Sequence, residues 1–311
     1  MIITQTSLRL SLLGGNTDFP AYFKKYGGAV LTATIDKYLY CIIKSRFDDE
    51  IWINYSTKEK VQNVKDIKHS LVREAMKLVG VDKGVEITFL SDVPSEGSGL
   101  GSSSAVVVGL LNALHHYKNE NVTARQLAEE ACKIEIDILK KPIGVQDQYA
   151  VAFGGFNLIE FGEKITLNPI NPFFLQEYLM LLYTGTTRKA DDILSKMKLN
   201  KKILDATKKL AYAGYDPNIN YEDFGKLLND YWNLKIKLNH HVTNNTIDKM
   251  YIKALEAGAL GGKIVGAGGG GFLLLVVPLN KRNAVSNELG LRELSFNFSN
   301  FGSKVIFDIK T

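Results

Sequence analysis

The chain of 311 residues is 45% hydrophobic and 23% charged, the proportions of a globular protein long enough for two ordinary domains. Its net charge of +5 is mild for that length and no long basic run occurs, which argues against a nucleic-acid partner; a small anionic substrate accounts for the balance equally well. Two well-separated cysteines, Cys41 and Cys132, argue against a disulfide framework or a zinc site, and the longest apolar run, 272–277, is too short to span a bilayer, so a cytoplasmic protein with no membrane partner is expected.

In chain order, Ile2 to Leu13 alternates polar and apolar residues as a strand does and not as a leader peptide, and ends in the turn-forming cluster Gly14-Gly15-Asn16-Thr17-Asp18. Residues 29–44 and 51–55 follow as β-rich segments around a polar turn. From about Asp66 to Val79, Ile67, Leu71, Ala75 and Leu78 recur at the spacing of an amphipathic helix. Val85, Ile87 and Phe89 then alternate with Glu86 and Thr88 in a short strand. That strand delivers the chain to Asp92–His116, the stretch around which the sequence is organised. Gly97, Gly99 and Gly101 let the backbone turn tightly with its N–H groups uncovered, and Ser102, Ser103 and Ser104 sit where a helix leaves its first donors unpaired. This order suits phosphate, because partial positive charge collects at a helix N-terminus. The helix that follows is apolar almost all round, as a buried helix is and as the sequel to a flexible linker is not.

A further helix is predicted from Thr123, which with Gln126 has the form of a capping box, to about Leu139 ahead of Pro142. A loop carries Ile143 to Tyr149, and Phe156 to Phe161 reads as a strand. Gly, Asn and two prolines gather at 162–172, and the domain boundary is placed there, dividing the chain into 1–165 and 166–311. The second part shows a strand at 178–183, a polar loop at 184–189 and helical patterns at 190–213, 221–238 and 246–257. A glycine cluster at 258–271 precedes the strand 272–277.

No GxxxxGK[ST] occurs. Gly266, Gly268 and Gly271 match GxGxxG but precede a strand, where a dinucleotide site needs them to open a helix; by themselves they read equally as a tight hairpin. A nucleoside triphosphate on the 97–104 loop needs Mg²⁺, which takes hard oxygen ligands such as a hydroxyl and a carboxylate. Glu135, between Ile134 and Ile136, is a candidate, since a carboxylate amid apolar neighbours is costly unless compensated; an exposed helix charge is the alternative. Asp147, between two glutamines, reads as a turn-former or as a base that accepts or orients a hydroxyl proton. Arg9 interrupts an apolar strand, either as an edge charge or to polarise phosphate and steady the base.

Together these stretches resemble the GHMP kinases, which include galactokinase, homoserine kinase, mevalonate kinase and phosphomevalonate kinase. Three motifs carry the resemblance in order: RLSLLGGNTD from Arg9, PSEGSGLGSSSA from Pro94 and GGKIVGAGGGGF from Gly261. The resemblance covers essentially the whole chain and implies an α+β two-domain GHMP kinase fold, with an N-terminal ribosomal-protein-S5-like domain and a C-terminal ferredoxin-like domain that closes the site. It implies that Gly97, Ser98, Gly99, Leu100, Gly101, Ser102, Ser103 and Ser104 wrap the phosphates of ATP and that Ser103 with Glu135 ligates Mg²⁺. Asp147 is implied as the catalytic base with Arg9 beside it, and Asp18 as the carboxylate that binds sugar hydroxyls from the loop containing Gly15, Asn16 and Thr17. Gly266 to Gly271 would close over them.

Two departures are visible. Galactokinases carry Glu-His where this chain has Gly15-Asn16, which disfavours galactose, and the second motif is one residue longer than usual between Pro94 and Gly99. Within the family, GGNTDFP, GVQDQYAVAFGGFN, YTGTTRKADDIL and WNLK are most similar to the D-glycero-D-manno-heptose 7-phosphate kinases, with fucokinase as a neighbour. The implied reaction moves the γ-phosphate of ATP to the anomeric hydroxyl of a small-molecule sugar phosphate. Fucokinase-like activity, or a non-catalytic sensor on the same fold, is the alternative, and a homodimer is left open. On charge grounds Arg188 and Lys189, with Lys24 or Lys25, would meet the sugar's own phosphate.

Overall fold

The computed structural model describes residues 1–94, 97–171, 175–186 and 190–309. It is an α+β protein built on two sheets. The first contains β1 (Ile2–Leu13), β2 (Gly28–Ser45), β3 (Ile51–Asn54), β4 (Lys58–Val61), β5 (Val85–Ser91), β6 (Phe156–Phe161), β7 (Thr166–Pro169) and β12 (Ser303–Asp308). The second contains β8 (Leu179–Tyr183), β9 (Gly261–Ile264), β10 (Phe272–Val276) and β11 (Arg292–Glu293).

The first sheet runs β12-β1-β2-β5-β3-β4, and β2 is long enough to serve two neighbours. Its opening residues, Gly28 to Ala33, pair with β6, while Leu39 to Ser45 pair with β5. The β3–β5 pairing is parallel and the others are antiparallel. From Thr6 onward β1 is buried on both sides of its pleat, which explains its run of leucines. Helix α3 (Ser102–Tyr117) packs on β1 and β2. Helices α2 (Ser70–Val79), α4 (Ala124–Cys132) and α5 (Gln146–Phe153) pack around α3 in turn. Surrounded in this way, α3 buries Val107, Val108, Leu110, Leu111 and Leu114, and that burial outweighs the poor helix propensity of its valines. Helix α1 (Pro20–Tyr26) lies between β1 and β2 in the chain.

The second sheet, β11-β8-β10-β9, is antiparallel throughout. Helices α8 (Tyr221–Leu238) and α9 (Asn245–Glu256) pack on it, with α10 (Arg282–Leu289) against α9 and α7 (Lys201–Gly214) reaching back to β1 and β2. The remaining helix is α6 (Ala190–Leu194).

Four features depart from the sequence reading. The 190–213 pattern is two helices, α6 and α7, and the helix from Thr123 stays α-helical only to Cys132 before widening into a π turn, Lys133–Ile138. Residues 146–153, expected as part of a loop, form α5, so Asp147 sits in a helix's first turn. Finally, β7 and β12 both pair in the first sheet, so strands from beyond residue 165 complete it.

Candidate active site

A cavity of about 660 Å³ opens between the two sheets' loops. One end of it is the N-terminus of α3. Gly101 precedes that helix at φ +76°, no side chain caps it, and Ser102, Ser103 and Ser104 line the cavity, so the helix's first N–H groups face an anion's position. The glycines on either side are steric requirements. A Cβ on Gly99 (φ +76°) would stand 2.4 Å from the Val265 carbonyl oxygen, and one on Gly266 (φ +69°) would stand 2.6 Å from the Gly99 Cα. A Cβ on Gly271 would lie 2.6 Å from the Ser98 carbonyl oxygen. The two glycine loops therefore interlock backbone to backbone, and the hairpin reading and the closing-loop reading of Gly266 to Gly271 describe one object.

Arg9, 4% exposed on β1, ties the catalytic candidates together. Its Nε donates to Asp147 Oδ1 at 2.7 Å, Nη2 donates to Asp147 Oδ2, and Nη1 donates to the Gly99 carbonyl at 2.5 Å. One planar guanidinium thus fixes both the carboxylate of α5 and the glycine loop before α3.

Asp18 is 1% exposed. Its Oδ2 accepts the Gln146 backbone N–H at 3.2 Å, and Gly144 makes room for it, since a Cβ there would lie 1.9 Å from Oδ2. Burial first, and the nearby Asp147 charge second, push its carboxyl up to about 6. Among the described residues, Asp18 Oδ1 and Gln146 Oε1 are buried acceptors with no donor. Beside them the Tyr231 hydroxyl bonds to the Gly15 backbone, and a side chain at Gly15 would run into it at 2.6 Å.

Glu135 is fully buried on the π turn, and both its oxygens are in use. Oε1 accepts from Ser103 Oγ at 2.7 Å and from Lys141 Nζ at 3.1 Å; Oε2 accepts from Ser104 Oγ at 2.8 Å and from Gln148 Nε2 at 2.7 Å. Among the described residues no group of three or more His, Cys, Asp or Glu side chains forms a metal cage. A magnesium ion would instead rest on the Ser103 hydroxyl and the Glu135 carboxylate together with nucleotide phosphates, a hard-oxygen set that fits it.

Two sequence-expected residues take other roles. Leu100 is buried in the core and off the cavity wall, and its carbonyl accepts from the Arg9 N–H at 3.0 Å. The Thr17 hydroxyl is used within the fold, donating to the Gly14 and Ala29 carbonyls at 2.8 and 2.9 Å, so it shapes the loop and does not face a ligand. Lys24 and Lys25 are exposed on α1, away from the cavity wall, while Arg188 and Lys189, like Ser95 and Glu96 of the lengthened motif, lie outside the described residues.

Sequence reasoning missed Lys141, Gln146, Gln148 and Tyr231, and left Lys235 and Lys263 without a role although both fall in quoted motifs. Lys235 is buried and donates to the Gly266 carbonyl at 2.5 Å; burial, with the Arg9 charge behind it, brings its ammonium down to about 7. Lys263 is buried with its ammonium on the Ser11 carbonyl at 2.6 Å and over the Tyr231 ring at 4.4 Å. The far end of the cavity is apolar and aromatic. There Tyr55 meets the His69 ring edge-on at 4.8 Å, and Phe89 and Leu39 complete the wall.

Comparison with known proteins agrees with this geometry. Residues 64–155 match the N-terminal domain of the GHMP kinases and residues 208–293 match their C-terminal domain. The chain is 35% identical to the D-glycero-alpha-D-manno-heptose 7-phosphate kinase of Campylobacter jejuni, over 97% of this chain and 98% of that one. It is 27% identical to the galactokinase of Pyrococcus furiosus, over 94% and 93% of the two chains. The crystal structure of a D-glycero-D-manno-heptose 1-phosphate kinase from Bacteroides thetaiotaomicron superposes with a TM-score of 0.82 at 26% identity, covering all of both chains.

Proposed function

The chain belongs to the GHMP kinases, and from that membership we propose that it moves the γ-phosphate of ATP to the anomeric hydroxyl of D-glycero-D-manno-heptose 7-phosphate, giving the 1,7-bisphosphate. It is an ATP-dependent phosphotransferase acting on a sugar hydroxyl; the heptose, its phosphate and the position phosphorylated are the proposal. The observation that carries it is the single guanidinium of Arg9 holding both Asp147 and Gly99. A base and a phosphate loop fixed to one rigid group are a hydroxyl nucleophile's binding place and its electrophile's, set side by side.

In this reading the adenine lies at the aromatic end, near Tyr55, His69 and Phe89, and the phosphates lie on Gly97 to Ser104 without Leu100's side chain. Asp18 and Gln146 accept sugar hydroxyls with their unpartnered oxygens. Asp147 takes or orients the anomeric hydroxyl proton; the oxygen forms its bond to the γ-phosphorus, the bond to the bridging β–γ oxygen breaks, and ADP leaves. Arg9 and the N–H groups of α3 stabilise charge on the transferring group. Mg²⁺, held by Ser103 and Glu135, supplies neutralisation of the phosphate oxygens when bound.

The test is a substrate panel followed by ADP release: heptose 7-phosphate, heptose 1-phosphate, unphosphorylated heptose, fucose and galactose, with the product's phosphorus NMR giving the position. Turnover of heptose 7-phosphate well above the rest, with a new anomeric phosphate, is expected. Preference for a free sugar overturns the substrate, and silence on every sugar favours a sensor. Asp147→Asn should retain ATP binding and lose roughly two orders of magnitude or more in kcat. Near-normal turnover would remove Asp147 from the role of base.

A further inference from the structure

Lys141 follows the π turn, and its backbone N–H is tied to the Glu135 carbonyl at 2.9 Å. Its side chain is 20% exposed on the cavity wall, while Glu135 beneath it is fully buried. The ammonium donates to Ser103 Oγ at 2.8 Å and to Glu135 Oε1 at 3.1 Å. Those are the two oxygens that read best as the seat of a divalent cation. Ser104 and Gln148 take the other carboxylate oxygen, Oε2.

From this geometry we infer that Lys141 occupies the metal seat of the nucleotide-free enzyme and makes metal binding conditional on nucleotide. The inference rests on the assignment of Ser103 and Glu135 as metal ligands. A buried carboxylate is costly without a counter-charge, and Lys141 supplies one when no metal does. Two cations cannot share the same two oxygens, because their repulsion at such separations is severe in a poorly solvated site. Lys141 must therefore withdraw before Ser103 and Glu135 can take a divalent ion. Its tip can move, since it already borders the cavity, whereas Glu135 cannot. Withdrawal into an empty cavity gives up a charge-assisted hydrogen bond for water. Withdrawal beside a bound triphosphate exchanges the carboxylate for another anion, so nucleotide and metal favour each other through Lys141. The same device keeps bare cations from sitting unproductively on Glu135.

The experiment measures Mn²⁺ binding by electron paramagnetic resonance, with and without a non-hydrolysable ATP analogue, in the wild type and in Lys141→Gln, Lys141→Arg and Glu135→Gln. Gln keeps donors for Ser103 and Glu135, which protects the fold, but carries no charge. Lys141→Gln should bind Mn²⁺ roughly tenfold or more tighter without nucleotide, the scale of one lost charge-assisted competitor. Its gain on adding the analogue should shrink by a similar factor, and Lys141→Arg should restore wild-type coupling. A Lys141→Gln affinity equal to or weaker than wild type overturns the inference, provided Glu135→Gln has lost the metal. Unaltered Mn²⁺ binding in Glu135→Gln overturns the seat itself and the inference with it, so the two failures are told apart. Circular dichroism of each variant checks folding, and an unfolded Lys141→Gln beside a folded Lys141→Arg assigns the lysine a purely structural role and overturns the inference too.

Discussion

Replacing Gly99 with Ala tests whether the interlock of the two glycine loops sets the catalytic geometry. The new Cβ would lie 2.4 Å from the Val265 carbonyl oxygen. That is about 1 Å inside ordinary contact, and the obstacle is backbone, which cannot rotate away. Nor can Val265 retreat alone, because its N–H is bonded to the Phe272 carbonyl at 2.9 Å. The loops should part by about 1 Å, carrying the Gly99 carbonyl off Arg9 and the phosphate loop off its register with Asp147. A misplacement of that size costs on the order of 100-fold in kcat. The left-handed conformation at φ +76° adds about 1–2 kcal/mol of strain to the folded state. Gly290→Ala separates the two effects: at φ +58° it carries comparable strain, with nothing within 4 Å of the added Cβ. ADP release and thermal unfolding would be measured for both variants. The expectation is destabilisation of both, larger in Gly99→Ala by the cost of parting the loops, with turnover lost only in Gly99→Ala. Wild-type kcat in Gly99→Ala would mean that the loops slide freely past one another and that their contact does not position the phosphates.

Glu135→Gln places an amide where two oxygens accept four hydrogen bonds, so one pair of donors faces an NH₂ group, and a loss of about 2–4 kcal/mol is expected in urea unfolding. An unchanged midpoint would show that those donors find other partners. Asp18→Asn should stabilise the ligand-free protein while weakening sugar binding. Because Asp18 titrates near 6 in the fold against an ordinary 3.8, its ionised form costs stability that grows as the pH rises from 3.8 to 6 and is constant above. The gain should reach about 1–3 kcal/mol at pH 8 and fade by pH 4. Equal gains at both pH values would place the effect outside ionisation. Lys235 has the opposite lever: its folded value near 7 lies below the ordinary 10.5, so stability should rise as the pH goes from about 7 to 10. Lys263, also held well below its ordinary value by burial, adds to the same rise, so Lys235→Met should lessen it in denaturant titrations, and an identical slope in the variant would locate the titrating group elsewhere.

The legible parts of this molecule are those whose function uses backbone. Gly97, Gly99 and Gly101 announce a phosphate loop because only glycine tolerates the turn, and the apolar run after Ser104 announces a buried helix. Arg9 and Glu135 were legible for a different reason: each is a charge set among apolar residues, which burial makes expensive without a partner. Of their partners, Asp147 and Ser103 came with the family resemblance, and Lys141 and Gln148 were not legible. Lys141 and Gln148 look like any polar residue near a helix end until the π turn brings Glu135 to them, and a π turn leaves no mark in hydrophobic spacing. Thr17 misled because a threonine in a functional loop looks like a ligand contact. Its hydroxyl instead holds that loop to Ala29. Strands β7 and β12 are short edge strands with exposed faces, so alternation was too weak to assign them, and the return of the chain's end to β1 is a non-local pairing that no window of sequence contains.

The site gathers charged groups whose placement is unfavourable by itself. Asp18 and Asp147 repel one another, and Lys235 and Lys263 are buried lysines within reach of the Arg9 charge, held by backbone carbonyls. Each of these costs folding free energy. They are sustained by the large cores beneath the two sheets, which is the usual relation between an active site and its scaffold. What they create is polar chemistry with deficits of known sign: among the described residues Asp18 Oδ1 and Gln146 Oε1 are acceptors without donors, and no side chain caps the start of α3. Under the proposed function a polyhydroxylated sugar would bring donors and a triphosphate acceptors, so each would satisfy groups the protein leaves open. From the second sheet's side, the loop after β9 lines the cavity with Gly266, Ala267, Gly268 and Gly270. That loop fills the space over Gly99, Lys235 of α8 fixes it through the Gly266 carbonyl, and Lys263 of β9 fixes the end of β1 through the Ser11 carbonyl.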